Sequence, residues 1–466
     1  MPGFMAASST GARQRIRQAR AEAKKKKLAS FALKNHFGDI SSQSIRVIER
    51  TFPLRVRVDL HEAIRSFVEA EEVEQVVFSG VYGRYASHGG IGFVDLLDQD
   101  RNGIECTPPQ YEQVDIGEDR EVDCLKNGLW LFRFRGLKMA ALMAEAGRYG
   151  QIDGVGVHLA IDPSEPAQAA GAEVFNALEK AIEAAGSYRG KILSLERDND
   201  YSGRSAAIKV HKLRSVRRDQ VILPSHTLQL LDRNVLGFVA QRERLRQLGH
   251  STKKGVLFYG PPGTGKTHTL HYLAGALPDH TTLLLTSEQV GLLSEYMSLA
   301  RLLQPSVMFI EDADLIARNR EDMESVCEEV LLNKLLNEMD GLREDADILF
   351  VLTTNRPSAL EAALSSRPGR IDQAIEFPLP DDEGRTKLVD LYARGVGVDK
   401  MRQQDIVGRT AGSSAAFIKE LMRRATQFQL EVDDAEQLSA EAIDQALEQM
   451  LFHGGELNRQ ILGGVD

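Results

Sequence analysis

Gly260-Pro-Pro-Gly-Thr-Gly-Lys-Thr267 brings together the residue types that chemistry on a polyphosphate needs, at fixed spacing. Gly260, Gly263 and Gly265 let a short backbone bend until successive N–H groups converge on oxygen atoms, and a following helix adds the positive end of its dipole. Lys266 supplies a mobile positive charge for β- and γ-phosphates, and the Thr267 hydroxyl can ligate Mg²⁺. Pro261, Pro262 and Thr264 complete the loop and His268 follows it, so each is read as a nucleotide contact.

Three further stretches carry chemistry. Val307-Met-Phe-Ile-Glu311-Asp312-Ala-Asp314 is an apolar run ending in adjacent carboxylates, a pattern that puts Glu311 in the shell of a Mg²⁺ ion and Asp312 where it can orient and deprotonate water. Asn355, closing Leu352-Thr-Thr-Asn355, is an amide at a strand tip within reach of a γ-phosphate. Arg367 and Arg370 flank Pro-Gly in Ser365-Ser-Arg367-Pro-Gly-Arg370, a stiff turn with only Asp372 nearby in sequence to neutralise it. Such a turn can offer an arginine finger to a neighbouring subunit.

These residues need a scaffold that gathers strand ends. Short β-branched and apolar runs at Gly255 to Tyr259, Thr282 to Thr286, Ser306 to Ile310, Ile348 to Thr354 and Ala374 to Phe377 are separated by helical text, which predicts a parallel sheet covered on both faces. Ligands of such sheets collect at the carboxyl ends of the strands. Ser225 is a candidate N-cap for the helix that opens this region, and Gly237 in Leu236-Gly-Phe-Val239 is read as a nucleotide contact ahead of the loop. After Asp381, helices at Glu383 to Arg394, Ala415 to Gln429 and Ala440 to Leu451 predict a small lid.

The first half has no nucleotide motif. It reads as mixed α and β: a helix over Leu60 to Glu72, loop from Asp98 to Asp123, a strand at Leu129 to Phe134, a helix at Leu137 to Ala146, a strand at Val155 to Ile161, a helix at Glu173 to Ala185, and strands near Lys191 to Leu195 and Ala207 to Leu213. His158, Asp162 and Glu196 fall near strand ends without forming a catalytic set. The resulting division is a basic tail (1–30), an α/β domain for a substrate or partner (31–213), a linker (214–222), an α/β nucleotide domain (223–381), a helical lid (382–454) and a tail (455–466).

With 57 Lys+Arg against 67 Asp+Glu the net charge is −10, which disfavours a nucleic-acid-coating role despite the basic run from Arg13 to Lys27. Three scattered cysteines suit a reducing compartment and show no metal spacing. No apolar run approaches the roughly 20 residues of a membrane span, so a cytoplasmic protein is expected.

Together the motifs from Leu223 to Leu451 resemble the AAA branch of the AAA+ ATPases. The resemblance includes Asn337-Glu-Met-Asp-Gly-Leu342 ahead of the strand that carries Asn355, and the arginine pair Arg367 and Arg370. It implies a P-loop parallel-sheet core with a helical lid, ATP and Mg²⁺ as ligands, and a homo-hexameric ring that remodels, unfolds or translocates a protein. Ala411-Gly-Ser-Ser-Ala-Ala416 looks like the family's lid segment, which implies adenine contacts at Ala411 and Gly412. Two departures stand out. The usual Asp-Glu order is reversed as Glu311-Asp312, as it is in the mitochondrial AAA translocase of the Rieske protein. The segment Ser287 to Met297 is short and has Tyr296 as its sole aromatic, expected to pack rather than to grip a threaded chain. A nucleotide-gated scaffold with little hydrolysis, or a DNA-associated AAA+ protein, are the alternatives.

Overall fold

The computed structural model describes residues 27–38, 45–83, 90–97, 103–117, 121–148, 151–184, 186–196, 207–316, 327–343, 346–358, 370–393, 395–432 and 437–450. The chain forms two compact units, one over Met1–Ser187 with Glu196–Lys209, the other over Tyr188–Leu195 with Val210–Asp466.

In the first unit, helix α1 (Ala29–Phe37) precedes β1 (Arg46–Pro53), α2 (Arg57–Val68) and β2 (Val73–Tyr82). There follow a single turn α3 (Phe93–Leu96), short strands β3 (Glu105–Thr107), β4 (Tyr111–Val114) and β5 (Val122–Leu125), then β6 (Gly128–Phe134), β7 (Leu137–Arg148), β8 (Gln151–Ile161) and α4 (Glu165–Ala184). A six-stranded sheet runs β1-β8-β7-β6-β2-β3, with antiparallel pairing at β1/β8, β7/β8, β6/β7, β2/β6 and β2/β3.

Two sequence expectations are corrected here. The helix expected over Leu137 to Ala146 is the strand β7. Its Ala, Leu and Met residues favour a helix in isolation. However, Met139 to Ala144 are buried between strands on both sides, and Arg135 and Gly136 have φ of 49° and 78°. Two positive φ values in a row make the tight turn that matches the twist of a hairpin, so tertiary pairing overrides propensity. The loop expected from Asp98 to Asp123 contains β3, β4 and the start of β5. These strands are too short and polar for alternation to reveal.

The rest of the chain holds β9 (Ile192–Glu196), β10 (Ala207–His211), α5 (Ser225–Leu231), a π-type turn (Asp232–Gly237), α6 (Phe238–Gln247), β11 (Lys254–Tyr259) and α7 (Lys266–Ala276). It continues through β12 (Thr281–Leu285), α8 (Leu293–Leu302), β13 (Ser306–Ile310), α9 (Ala313–Ile316), α10 (Cys327–Asp340), β14 (Ile348–Thr354) and β15 (Gln373–Glu376). The sheet order is β10-β9-β12-β13-β14-β11-β15. The five pairs β9/β12, β12/β13, β13/β14, β14/β11 and β11/β15 are all parallel. Every residue of β13 and β14 is buried, as strands covered on both faces require. Thus the strand expected near Lys191 to Leu195 exists as β9, but its parallel partner is β12 rather than a strand of the first sheet.

The lid is α11 (Asp382–Tyr392), α12 (Lys400–Arg409), α13 (Ala415–Val432) and α14 (Ala440–Glu448). Side chains of Asp381, Asp399 and Ser439 accept hydrogen bonds from Gly384, Arg402 and Ala442 amides and so start three of these helices. Their apolar stripes close on one core around Leu388, Ile406, Phe417, Leu421 and Ile443. Ser225 does not cap α5: it is the first helical residue, after Pro224. Among the described residues no helix is long and apolar enough to cross a membrane.

Tyr296 packs as expected. It is fully buried, its hydroxyl accepts from the Leu195 amide at 2.8 Å, and its proton faces the Leu284 carbonyl at 2.7 Å and Gln289 Oε1 at 3.0 Å. The single phenol therefore joins β9, β12 and the turn before α8. Tyr296→Phe leaves a buried amide and a buried carbonyl without a partner and is expected to cost about 1–3 kcal/mol. Urea unfolding should show a lower midpoint at unchanged slope, and an unchanged midpoint would refute the role.

Candidate active site

The loop after β11 turns sharply because its neighbours leave no room for side chains. Gly260 has φ 151° and Gly263 φ 75°. A Cβ at Gly260 would lie 2.2 Å from the Phe377 carbonyl oxygen, and one at Gly263 would lie 2.8 Å from Ser414 Oγ and 2.9 Å from the Ala416 Cβ. The Ala416 amide also donates to the Gly263 carbonyl at 3.1 Å. The first turn of α13 is thereby fastened to the phosphate loop, and Ser414 Oγ accepts from the Phe417 amide at 3.2 Å to start that helix.

Lys266 is 7% exposed. Its ammonium donates to the Gly260 and Pro261 carbonyls at 2.7 and 2.8 Å. Burial pulls its pKa down to about 8, opposed by the charges of Asp312 and Asp314. Such a cation is stabilised by any anion brought beside it. Thr264 Oγ1 donates to the Pro261 carbonyl at 2.9 Å and Thr269 Oγ1 to the Gly265 carbonyl at 3.0 Å, which stiffens the loop on either side.

Across from the lysine, the ends of β13 and β14 are cross-braced. Asp312 has φ 49°, its amide donates to Thr353 Oγ1 at 3.1 Å, and its carboxylate accepts from Asn355 Nδ2 at 3.1 Å. Asp314, 3% exposed, accepts from Thr354 Oγ1 at 2.8 Å and from the Asn355 amide at 3.3 Å. Sequence reasoning gave Asp314 no role. Its place two residues beyond Asp312, before a polar strand tip, is the signal that was available.

A cavity of about 380 Å³ joins these parts. Its wall includes Pro262 to Thr269, Asp312, Thr353 and Asn355, together with Gln220 to Leu223, Leu388, Tyr392, Ala415, Ala416 and Lys419. His268 lies on this wall with Nε2 3.1 Å from the Gln220 carbonyl, and burial lowers its pKa. Gln220 to Ile222, read as linker, thus belong to the site. Val221 is anchored in the core beneath the sheet, and the apolar run Val221-Ile-Leu223 before Pro224 was its only sequence signal.

Several expected residues lie elsewhere. Glu311 donates its amide to the Leu285 carbonyl at 3.0 Å, and its side chain is not part of the cavity wall. Gly237 ends the π-type turn, and Gly412, φ 76°, makes the bend between α12 and α13. Neither they nor Ala411 line the cavity; Ala415 and Ala416 do, because the α13 turn that touches the loop lies a few residues further on. Arg370 is not free: its side chain, 9% exposed, pairs with Asp340 of its own chain and approaches Asn337 Oδ1 at 3.4 Å. The neighbour in sequence, Asp372, instead accepts from the Gly255 amide at 2.8 Å. Arg367 lies outside the described residues.

Residues 256–379 match the ATPase family associated with various cellular activities (AAA). The chain is 34% identical over 218 residues to a proteasome-activating nucleotidase of Methanosphaerula palustris, covering 44% of this chain and 52% of that one. It is 34% identical over 217 residues to a cell division cycle protein 48 homolog of Archaeoglobus fulgidus, covering 43% and 30%. With the ATP-dependent zinc metalloprotease FtsH 2 of Sphaerobacter thermophilus it shares 33% over 202 residues, covering 41% and 31%. The chain spans about half the length, or less, of these relatives.

The Lys266 environment generates a pH prediction. A triphosphate beside the ammonium favours its charged form, so binding above pH about 8 takes up a proton. Affinity should be level below about 8 and fall as pH rises toward the ordinary lysine value of 10.5, by up to about tenfold per pH unit. Titration calorimetry in two buffers of different ionisation heat measures the proton uptake. Level affinity across this range would refute the assignment.

Proposed function

We propose, starting from an AAA domain over residues 256–379, that the chain is a Mg²⁺-dependent ATP hydrolase whose turnover remodels, unfolds or translocates a protein within a homo-hexameric ring. The single observation that supports it best is the Asp312 carboxylate on the wall of the cavity that Lys266 enters, held there by the Asn355 amide.

The division of labour follows from that wall. Backbone amides of the loop and the Lys266 ammonium bind the β- and γ-phosphates, and Lys266 exchanges its hydrogen bonds to the Gly260 and Pro261 carbonyls for phosphate oxygens that carry full charge. Asp312 accepts the proton of the water that attacks the γ-phosphorus as the bond to the β-phosphate oxygen breaks, and Asn355 orients that carboxylate and the water. The donor set fits a magnesium ion, since a hydroxyl at Thr267 and a carboxylate at Asp312 line the cavity. Mg²⁺ takes few protein oxygens and leaves the rest to phosphate and water. Thr267 would hold it and it would neutralise charge on the transferring group, with Glu311 at most an outer, water-mediated contact.

Gln220 to Leu223, Tyr392 and the first turn of α13 surround the far end of the cavity and suit a purine ring and ribose. Because α13 is tied to Gly263, phosphate chemistry in the loop has a direct mechanical route into the lid. Arg367 is the group proposed to reach a neighbouring subunit's nucleotide. Arg370, already paired with Asp340 of its own chain, is not offered for that role.

Phosphate release from saturating Mg-ATP tests the proposal. Lys266→Ala should abolish nucleotide binding, whereas Asp312→Asn should retain binding and lose turnover by about 10² or more. Glu311→Gln should be milder than Asp312→Asn. Arg367→Ala should keep binding and lose about 10³-fold or more, and dilution to monomers should lower turnover per subunit. Turnover of the unmodified chain no faster than that of Lys266→Ala would favour a nucleotide-gated scaffold instead.

A further inference from the structure

Among the described residues, the side of β2 turned away from β6 carries a partner strand over only part of its length. β3 pairs with β2 only at Gly80, Val81 and Tyr82. Beyond Thr107 the chain leaves the sheet: the Pro108 carbonyl oxygen and Pro109 Cα sit so close to Gly80 that a Cβ there would meet them at 2.6 and 2.8 Å. Proline has no N–H to continue a ladder. From Val73 to Ser79, no described strand lies on that side of β2.

This open edge is apolar where edges are ordinarily blunted by charge. Val76, Val77 and Phe78 are 40%, 60% and 38% exposed in consecutive positions. Phe78 stacks on Trp130 at 4.9 Å between ring centroids, so its ring is fixed while its outer side stays in solvent. Val77 lies opposite Leu131 and Phe78 opposite Trp130, so the exposed apolar groups project on both faces of the edge. A register shift between Glu74 and Val77, with Gln75 at φ 54°, sets off the Val77–Ser79 segment from the strand's start.

We propose that this edge is a docking site for an extended polypeptide segment rich in basic and apolar residues, bound by strand addition to Val73–Ser79. The Val73 amide already donates to the Ala70 carbonyl at 3.0 Å; beyond it, the outward backbone groups that no described strand pairs can take up an extended backbone, and alternate side chains of the added strand would reach the apolar groups on both faces. Charge decides between occupants. Glu69, Glu71, Glu72 and Glu74 are exposed at the start of the edge. The cations beside them are Arg133, bonded to Gln75, and Arg135, already shared between Glu72 and Glu173. An antiparallel second copy would lay its uncharged Phe78–Tyr82 end against these carboxylates and leave them unneutralised, whereas a basic strand would be attracted to them. The inference rests on the first unit alone and holds whether or not the ATP chemistry above is correct.

The test uses the full chain and a labelled peptide alternating lysine with valine. Fluorescence anisotropy should show binding that weakens by about tenfold or more when alternate peptide amides are N-methylated, because half the ladder bonds are lost. The double change Val76→Lys with Val77→Lys, at exposed positions, should weaken it similarly without moving the melting temperature, and hydrogen exchange should slow within residues 74–79 when peptide is added. Equal binding of the N-methylated peptide, or equal binding of a glutamate–valine peptide, would overturn the proposal. So would protection of residues 74–79 in the free chain that is lost when residues 1–26 are removed, since the occupant would then be the chain's own basic segment. Protection that rises with protein concentration would point to a second copy and would overturn it too.

Discussion

A buried ammonium hydrogen-bonded to two carbonyls, with the Asp312 and Asp314 charges acting on it, is the constraint on which the second unit depends. Lys266 is enclosed by the loop that it closes, and its charge is kept there at a desolvation cost that lowers its pKa to about 8. The loop can hold it only because Gly260 and Gly263 bring their backbones against Phe377 and the start of α13. A side chain at either glycine would push away the sheet edge at β15 or the lid. The same atoms therefore shape the loop and attach the lid, so a displacement of one is carried to the other without a longer path.

The opposite wall is built on a different principle, hydrogen bonds across neighbouring strand tips. Thr353, Thr354 and Asn355 at the end of β14 each bond to the segment that follows β13, through the Asp312 amide, the Asp314 carboxylate and the Asp312 carboxylate respectively. Parallel strands deliver their carboxyl ends to one edge of the sheet, and here three polar residues in succession convert that proximity into a fixed carboxylate. Asp314 contributes by being almost fully buried and doubly bonded, which positions Asn355 for Asp312.

Legibility in the sequence followed the range of the forces involved. The phosphate loop, the five apolar strands and the lid helices α11, α13 and α14 were readable because each is set by local backbone needs or by periodic burial; α12, polar over most of Lys400–Arg409, was not. Gln220 to Leu223, Tyr392 and Ala416 were not, since they reach the cavity only through tertiary packing of three separate elements. The resemblance to the AAA lid segment implies adenine contacts at Ala411 and Gly412, and Gly237 is read as a contact ahead of the loop, yet Gly237 and Gly412 serve bends in the backbone. In the first unit β7 was read as a helix because single-residue propensities there favour one. The turn that reverses the choice, Arg135-Gly136, is signalled by only one glycine.

The reversed carboxylate order acquires a physical sense from the backbone. Asp312 sits at φ 49°, a left-handed conformation that costs a residue with a Cβ about 1–2 kcal/mol. Aspartate and asparagine tolerate it best, because a short polar side chain can be satisfied close to its own backbone, and here the Asn355 amide does so at 3.1 Å. Glutamate has no such compensation and its longer chain would add rotamer freedom to be lost at the cavity wall. Glu311, by contrast, continues the parallel ladder through its amide to Leu285, where an extended residue is required and a longer side chain can turn outward. Placing aspartate at the bend and glutamate at the strand end thus assigns each carboxylate to the backbone that suits it. What aspartate gives up in reach, roughly one methylene, is a question of where the bend carries its Cα, and the brace from Thr353 holds that atom in place.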